Sequence, residues 1–121
     1  TEELFFQIKG DIVVKTQQEG KMQKVSIKEG EMFLLPAKVP HSPIRSKDSI
    51  GLVIEKKREP HHKDGLMWFS EKENALLFEE YFHLTNIEKD FLPVFKKFYQ
   101  SEKLRTCPVS GEIMDTDERY I

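Results

Sequence analysis

The segment from Gly30 to Arg45, GEMFLLPAKVPHSPIR, constrains this chain more than any other part of it. It begins with an apolar run that favours a short β-strand, and Pro36 ends that run because proline donates no hydrogen bond to a neighbouring strand. Pro40 and Pro43 flank His41 and restrict the backbone on both sides of it. A histidine on such a stiff segment is predicted to be a ligand held at a fixed point.

Short β-prone stretches separated by turn residues occupy most of the chain, which predicts an antiparallel sandwich or barrel in a single domain over residues 1–121. Gly10 and Gly20 lie at two of the turns, where a residue free to take positive φ is useful. The strands are predicted at Leu4–Lys9, Ile12–Lys15, Met22–Ile27, Met32–Leu35, Ile50–Lys56, Leu66–Phe69 and Leu76–Phe82, with a ligand-bearing loop over Pro36–Pro43.

The residues from 86 to 121 are predicted to form a helix and an irregular tail. Apolar residues recur every three or four positions over Ile87–Gln100, and either Asn86 or Thr85 is suited to cap the helix. Pro93 lies inside this stretch, so the helix is expected to bend there or to begin later.

Two spaced motifs resemble the signatures of the cupin superfamily. Gly30, five residues, Pro36, four residues and His41 match most of the second signature, although Lys38 and Arg45 replace its Gly and Asn. Glu3, six residues and Gly10 match the end of the first signature, whose two histidines would precede Glu3. The resemblance implies a jelly-roll β-sandwich, and we expect a chain that lacks its N-terminal strands.

Longer stretches are similar to the 3-hydroxyanthranilate 3,4-dioxygenase family: EELFFQIKGD at 2–11, FLLPAKVPHSPIR at 33–45 and GLVIEKKR at 51–58. The resemblance implies a non-haem iron(II), extradiol-type enzyme. Such an enzyme opens the ring of 3-hydroxyanthranilate with O2 to give 2-amino-3-carboxymuconate semialdehyde, on the route from kynurenine to quinolinate and NAD. The alternative is a cupin that binds small molecules without catalysis or with another chemistry, because one scaffold serves many functions.

The same resemblance implies a role for four side chains. Glu3 and His41 would bind Fe(2+) together with a histidine upstream of Glu3, and two ligands alone would hold iron weakly. Arg45 would bind the substrate carboxylate, and Glu55 would act as an acid/base group near the substrate hydroxyl, with Glu3, Arg45 and Glu55 all contacting substrate.

Residue chemistry alone leaves simpler readings open. Taken without the motifs, Glu3 is interpreted as a solvated carboxylate at a strand end, and His41 as a capped loop histidine. Glu2 is the adjacent alternative to Glu3 as a ligand. Arg45 reads as a surface cation, and Glu55 as the ion-pair partner of a nearby base. The candidate bases are Lys56, Lys57 and Arg58.

The remaining histidines are predicted to be loop or strand-edge residues and not metal ligands, and the one cysteine bears on location and on a second metal. His61 and His62 fall in a charged loop, and His83 at the edge of a strand. Cys107 has no cysteine to pair with, which favours a reducing, cytoplasmic location. The second iron site of some bacterial family members is predicted absent, because Ser110 stands where its next cysteine would be.

Charge and hydropathy limit the classes of partner that this chain is expected to bind. The chain has 19 basic and 21 acidic residues and a net charge of −2, which gives no electrostatic reason to bind nucleic acid or an anionic membrane. No apolar run approaches the length of about 18 residues that a membrane-spanning helix requires. The predicted partners are therefore 3-hydroxyanthranilate and O2, and the sequence also allows a homodimer.

Overall fold

The computed structural model describes residues 2–121, which divide into two compact units that meet in sequence at Arg58 and Glu59. The first unit contains six strands: β1 Glu3–Lys9, β2 Ile12–Gln18, β3 Lys21–Ile27, β4 Met32–Leu35, β5 His41–Arg45 and β6 Ile50–Glu55. The second contains β7 Asp64–Phe69, β8 Leu76–Phe82, α1 Ile87–Tyr99, α2 Glu102–Arg105 and a 3₁₀ turn at Glu118–Tyr120. The predicted mainly β fold with a C-terminal helix is confirmed.

The first unit is a pair of three-stranded antiparallel sheets, ordered β4-β1-β6 and β3-β2-β5. Its core contains apolar side chains from both sheets, so the sheets pack face to face as in a sandwich. The buried members of this core are Phe5, Ile12, Val14, Ile27 and Leu35.

Strand alternation decides which polar side chains reach the inner face of this unit. Successive residues of a strand point to opposite faces, so Glu3 and Gln7 share the inner face of β1 with buried Phe5. By the same rule, His41 and Arg45 lie on one face of β5, where their pairing partners in β2, Thr16 and Ile12, are buried. The inner faces therefore have polar side chains at both ends and an apolar centre.

The outer face of the β4-β1-β6 sheet is apolar and largely uncovered among the described residues. Leu4 on β1 pairs in register with Leu34 and Ile54, and Phe6 pairs with Met32 and Leu52. The partners of these two residues are exposed by between 46% and 66%. This side of the sheet thus presents a contiguous hydrophobic surface.

The second unit is organised around one tryptophan. Trp68 on β7 stacks on Phe98 of α1 with ring centroids 4.4 Å apart and an angle of 12° between the planes. Its indole N–H donates to the hydroxyl of Tyr99 over 3.2 Å, which satisfies the one polar atom of the ring. Phe98 and Val94 are the buried residues of α1, so the helix is held through its aromatic face.

Helix α1 starts where its capping residue predicts. The side chain of Asn86 accepts a hydrogen bond from the amide of Lys89 over 3.0 Å. Thr85 does not cap α1: its hydroxyl and amide both donate to the carboxylate of Asp90. The helix begins at Ile87 and contains Pro93, so the predicted alternative of a later start is wrong. The helices of residues 2–121 are too short and too polar to span a bilayer.

The loop predicted over Pro36–Pro43 is shorter in the structure, because β5 already begins at His41. Pro43 is tolerated there because β5 is an edge strand, where a missing N–H can face away from the ladder. The tail is irregular as predicted, apart from the 3₁₀ turn and one isolated bridge between Thr106 and Ile113. The single domain over residues 1–121 stays a prediction.

Candidate functional site

Glu3 and His41 converge although 38 positions separate them in sequence. The Nε2 atom of His41 lies 3.2 Å from Oε2 of Glu3, and the side chains are 26% and 18% exposed. Each residue is at the start of its strand, β5 and β1, so both are delivered by regular backbone. Two ligands of one ion with bonds of about 2 Å lie roughly 3–4 Å apart, which is the separation found here.

The hydrogen bond on the other side of the His41 ring determines which nitrogen faces Glu3 without a proton. Nδ1 lies 3.0 Å from the carbonyl oxygen of Val39, an atom that only accepts, so Nδ1 carries the proton. In the neutral ring Nε2 then presents its lone pair to the side on which Glu3 lies, and the 3.2 Å contact is a hydrogen bond only when Nε2 or the Glu3 carboxyl group carries a proton. Histidines that bind metals through one nitrogen commonly donate from the other to a backbone carbonyl. Phe5 contacts the ring edge-on, with centroids 6.2 Å apart, and limits its rotation.

Glu55 joins this pair because of sheet register. Glu55 on β6 is paired directly with Glu3 on β1, so two carboxyl groups lie side by side on one face. Burial raises the pKa of Glu3; His41 opposes that rise, and a hydrogen bond with Glu55 adds to it. The local field therefore disfavours two bare carboxylates, and a positive charge between Glu3 and His41 would relieve it.

Arg58 partly neutralises Glu55. Its guanidinium donates from Nη1 to Oε1 of Glu55 over 2.9 Å, and both side chains are 31% exposed. This is the ion pair that residue chemistry predicted as one reading of Glu55. Glu55 also remains close to Glu3, so it forms this ion pair with Arg58 and still lies beside the candidate site.

Arg45 is four residues along β5 from His41, on the same face of the strand. Its Nη1 lies 2.9 Å from the point that a β-carbon on Gly51 would occupy, next to the side chain of Gln7. Among residues 2–121 the guanidinium has no hydrogen bond or ion pair within bonding distance. An arginine without an internal acid is available to an external anion.

A second cluster of potential ligands lies in the turn at Glu59, His61 and His62, whose ligand atoms are all within 4.8 Å of one another. The amide of Glu59 donates to Nδ1 of His62 over 3.1 Å, so the neutral ring carries its proton on Nε2. Neither nitrogen of His62 is then free to bind an ion. His83 lies nearby, with Nδ1 3.2 Å from the carbonyl oxygen of His62. The contrast with His41 favours the Glu3 site.

Cys107 is 2% exposed and lies in a small hydroxyl-rich pocket. Hydrogen bonds from the hydroxyl and the amide of Ser110, and from the hydroxyl of Ser70, lower its pKa to about 7. Ser110 stands at the position where the second iron site of some family members would have its next cysteine. The groups that could bind a metal at this place are therefore the thiol of Cys107 and the hydroxyls of Ser70 and Ser110.

Comparison with known proteins gives the family. A family model described as 3-hydroxyanthranilic acid dioxygenase matches residues 1–99. A curated 3-hydroxyanthranilate 3,4-dioxygenase from Xanthomonas campestris pv. campestris strain 8004 is 52% identical over 118 residues, which is 98% of this chain and 67% of the relative. The chain belongs to the 3-hydroxyanthranilic acid dioxygenase family.

Animal members of the dioxygenase family are also similar. The Nematostella vectensis protein of the same name is 47% identical over 111 residues, covering 92% of this chain and 40% of its own length. The Danio rerio protein is 45% identical over 105 residues, covering 87% of this chain and 37% of its own length. The chain thus spans about two thirds of the Xanthomonas relative and well under half of the animal ones.

The structure brings Glu3, His41 and Glu55 together and places Arg45 further along the same inner face. Glu2, the alternative to Glu3, follows the opposite alternation and lines a cavity of about 220 Å³ whose other lining residues are Leu4, Leu34, Ile54, Glu55 and Lys56. The register pair between Glu3 and Glu55 and the contact of Phe5 with His41 were not foreseen. The ligand and substrate roles of these residues stay predictions.

Proposed function

We propose that this chain carries the iron-binding and substrate-binding face of a 3-hydroxyanthranilate 3,4-dioxygenase. The observation that supports the proposal most is the 3.2 Å approach of His41 Nε2 to Glu3 Oε2, in a chain 52% identical to a curated enzyme of that name. An imidazole and a carboxylate are two of the three donors that non-haem iron(II) oxygenases use. Bound iron(II) would supply open positions at which an aromatic amine and hydroxyl, and O2, can meet.

The chain's own residues would hold the iron and orient the substrate. Glu3 and His41 would bind the iron, with His41 fixed by its Nδ1–H donation to Val39. Arg45 would form two parallel hydrogen bonds with the substrate carboxylate, which suits a planar guanidinium that has no acid of its own. Glu55 would take or hold the proton of the substrate hydroxyl, in a position fixed by the 2.9 Å hydrogen bond that Arg58 donates to its carboxyl group.

The decisive test measures metal and turnover together in the protein that contains these residues. The protein is loaded with iron(II) under anaerobic conditions, mixed with 3-hydroxyanthranilate, and followed by absorbance after O2 is admitted. We expect formation of the ring-opened product, loss of iron in His41→Ala, and full activity in His61→Ala, a matched histidine control outside the site. Binding of iron and substrate with no O2 uptake would instead support a cupin that only binds small molecules.

A further inference from the structure

Gly51 is a glycine whose backbone does not require glycine. It lies inside β6, where it pairs in register with Gln7 of β1. It is not among the glycines with positive φ, which are Gly10, Gly20, Gly30 and Gly111. Glycine weakens a strand and often marks a place where another group approaches the backbone closely. Its presence here therefore points to a requirement for space.

Two side-chain atoms occupy that space. A β-carbon built on Gly51 would lie 2.7 Å from Oε1 of Gln7 and 2.9 Å from Nη1 of Arg45. Both distances are shorter than real β-carbon contacts, so one neighbour would have to move. Gln7 is 1% exposed and its Nε2 donates to the carbonyl of Lys9 over 2.9 Å, which leaves it little freedom. The Nη1 atom of Arg45 is at the end of a long, flexible side chain, so Arg45 is the neighbour that would be displaced.

We propose that Gly51 is a positioning residue for Arg45. Its missing side chain opens a slot beside Gln7 in which the guanidinium lies, aligned for a substrate carboxylate. This inference rests on the proposed function, because it assigns Arg45 a carboxylate to bind. It adds that recognition of the acid group depends on a residue that touches neither substrate nor metal.

The slot matters because nothing else in the described part of the chain holds the guanidinium. The guanidinium of Arg45 makes no hydrogen bond or ion pair with residues 2–121, so packing against Gly51 and Gln7 defines its position. A side chain positioned by packing alone moves when a methyl group enters its space. Folding is affected less, because the displaced atoms are at the partly exposed end of the side chain.

The test compares Gly51→Ala, Arg45→Ala and the double variant, using anaerobic calorimetric titration of the iron-loaded protein with 3-hydroxyanthranilate. We expect Gly51→Ala to keep its iron and to raise the dissociation constant about tenfold, the lower end of what a charge-assisted hydrogen bond is worth. The double variant should bind no more weakly than Arg45→Ala, since both changes remove one interaction. Leu52→Ala, on the outer face of the same strand, should bind like the wild type.

Three results would overturn the proposal: wild-type affinity in Gly51→Ala, effects of Gly51→Ala and Arg45→Ala that multiply, or loss of iron in Gly51→Ala. If Gly51→Ala fails to fold, the double variant decides. Recovery of folding after removal of the guanidinium would show that the methyl group and Arg45 compete for one space, and continued misfolding would refute it. Wild-type protein that binds no 3-hydroxyanthranilate would refute the proposed function as well, which separates the two failures.

Discussion

The Nε2 atom of His41 lies 3.2 Å from Oε2 of Glu3, and the two residues come from different sheets of one sandwich. Neither side chain reaches the other by local chain geometry, since β1 and β5 are joined through three intervening strands. The contact is therefore a product of the folded sandwich. A group bound between these atoms would link the two sheets directly and would stabilise the folded state by an amount that grows with the logarithm of its affinity.

Replacement of His41 by alanine is expected to abolish iron(II) binding, because it removes one of the proposed ligands and the donors that remain no longer complete the facial set of three. Metal analysis after anaerobic loading and desalting measures the effect. His61→Ala removes a more exposed imidazole, 72% against 26% for His41, from the turn near Glu59 and should retain the metal. Equal iron loss in both variants would place the metal elsewhere in the protein.

Replacement of Arg45 by alanine is expected to leave iron content unchanged and to weaken substrate capture. A hydrogen bond between charged groups is worth about 1.5–3 kcal/mol, so KM should rise by roughly tenfold or more. Arg45→Lys should recover only part of the loss, since an ammonium cannot form the two parallel bonds of a guanidinium. The assignment fails if Arg45→Ala loses iron as completely as His41→Ala does.

Replacement of Asn86 by alanine should destabilise the second unit by about 1 kcal/mol, the usual contribution of a side chain that caps a helix N-terminus. The amide of Lys89 loses its acceptor in this variant. Urea unfolding of the variant and of Lys89→Ala, which keeps that amide hydrogen bond, separates capping from a general effect of substitution in the first turn. No difference between the two variants would show that the cap contributes nothing to stability.

The stability of the same helix start should depend on pH through Asp90. The amides of Thr85 and Asn86 donate to its carboxylate over 2.7 and 2.9 Å, and these bonds hold its pKa below the ordinary value of 3.8. A lowered pKa means that the carboxylate stabilises the folded state above its unfolded pKa and loses that effect as pH falls through the folded pKa.

The free energy of unfolding of wild type minus that of Asp90→Asn should therefore be positive at pH 7. It should shrink below about pH 4, once protons compete for the carboxylate. Glu88→Gln is the control, a change of the same kind in the same turn at a residue to which the amides of Thr85 and Asn86 do not donate. A difference that stays constant from pH 7 to pH 3 would contradict the role of the charged form.

Local sequence patterns predict which side chains share the inner face of the first unit. His41 and Arg45 are four residues apart, and Glu3 and Phe5 two, so strand alternation alone places each pair on one face. Motif spacing singled out Glu3 and His41, and the structure places Nε2 of His41 3.2 Å from Oε2 of Glu3, while their ligand roles stay predictions. The prolines made this segment resemble a loop, so strand β5 was not predicted, although an edge strand accepts Pro43.

Other features depend on register and could not be predicted from spacing. Glu3 faces Glu55 only because β1 and β6 pair at that offset, and a shift of one residue would have sent Glu55 to the outer face. Gly51 shows no turn signal, and its importance becomes visible only when the side chains of Gln7 and Arg45 are placed around it. Long-range pairing is information that no single window of the sequence contains.

The position of Trp68, stacked on Phe98, determines which part of this protein its tryptophan fluorescence reports on. The chain has one tryptophan, and its ring contacts are with residues of the second unit. Intrinsic tryptophan fluorescence therefore follows melting of that unit, while the strands carrying Glu3, His41 and Arg45 have no indole of their own. A denaturation curve recorded at the tryptophan wavelength and one recorded by far-ultraviolet circular dichroism, which weights all eight strands, coincide only if both units unfold in one cooperative step.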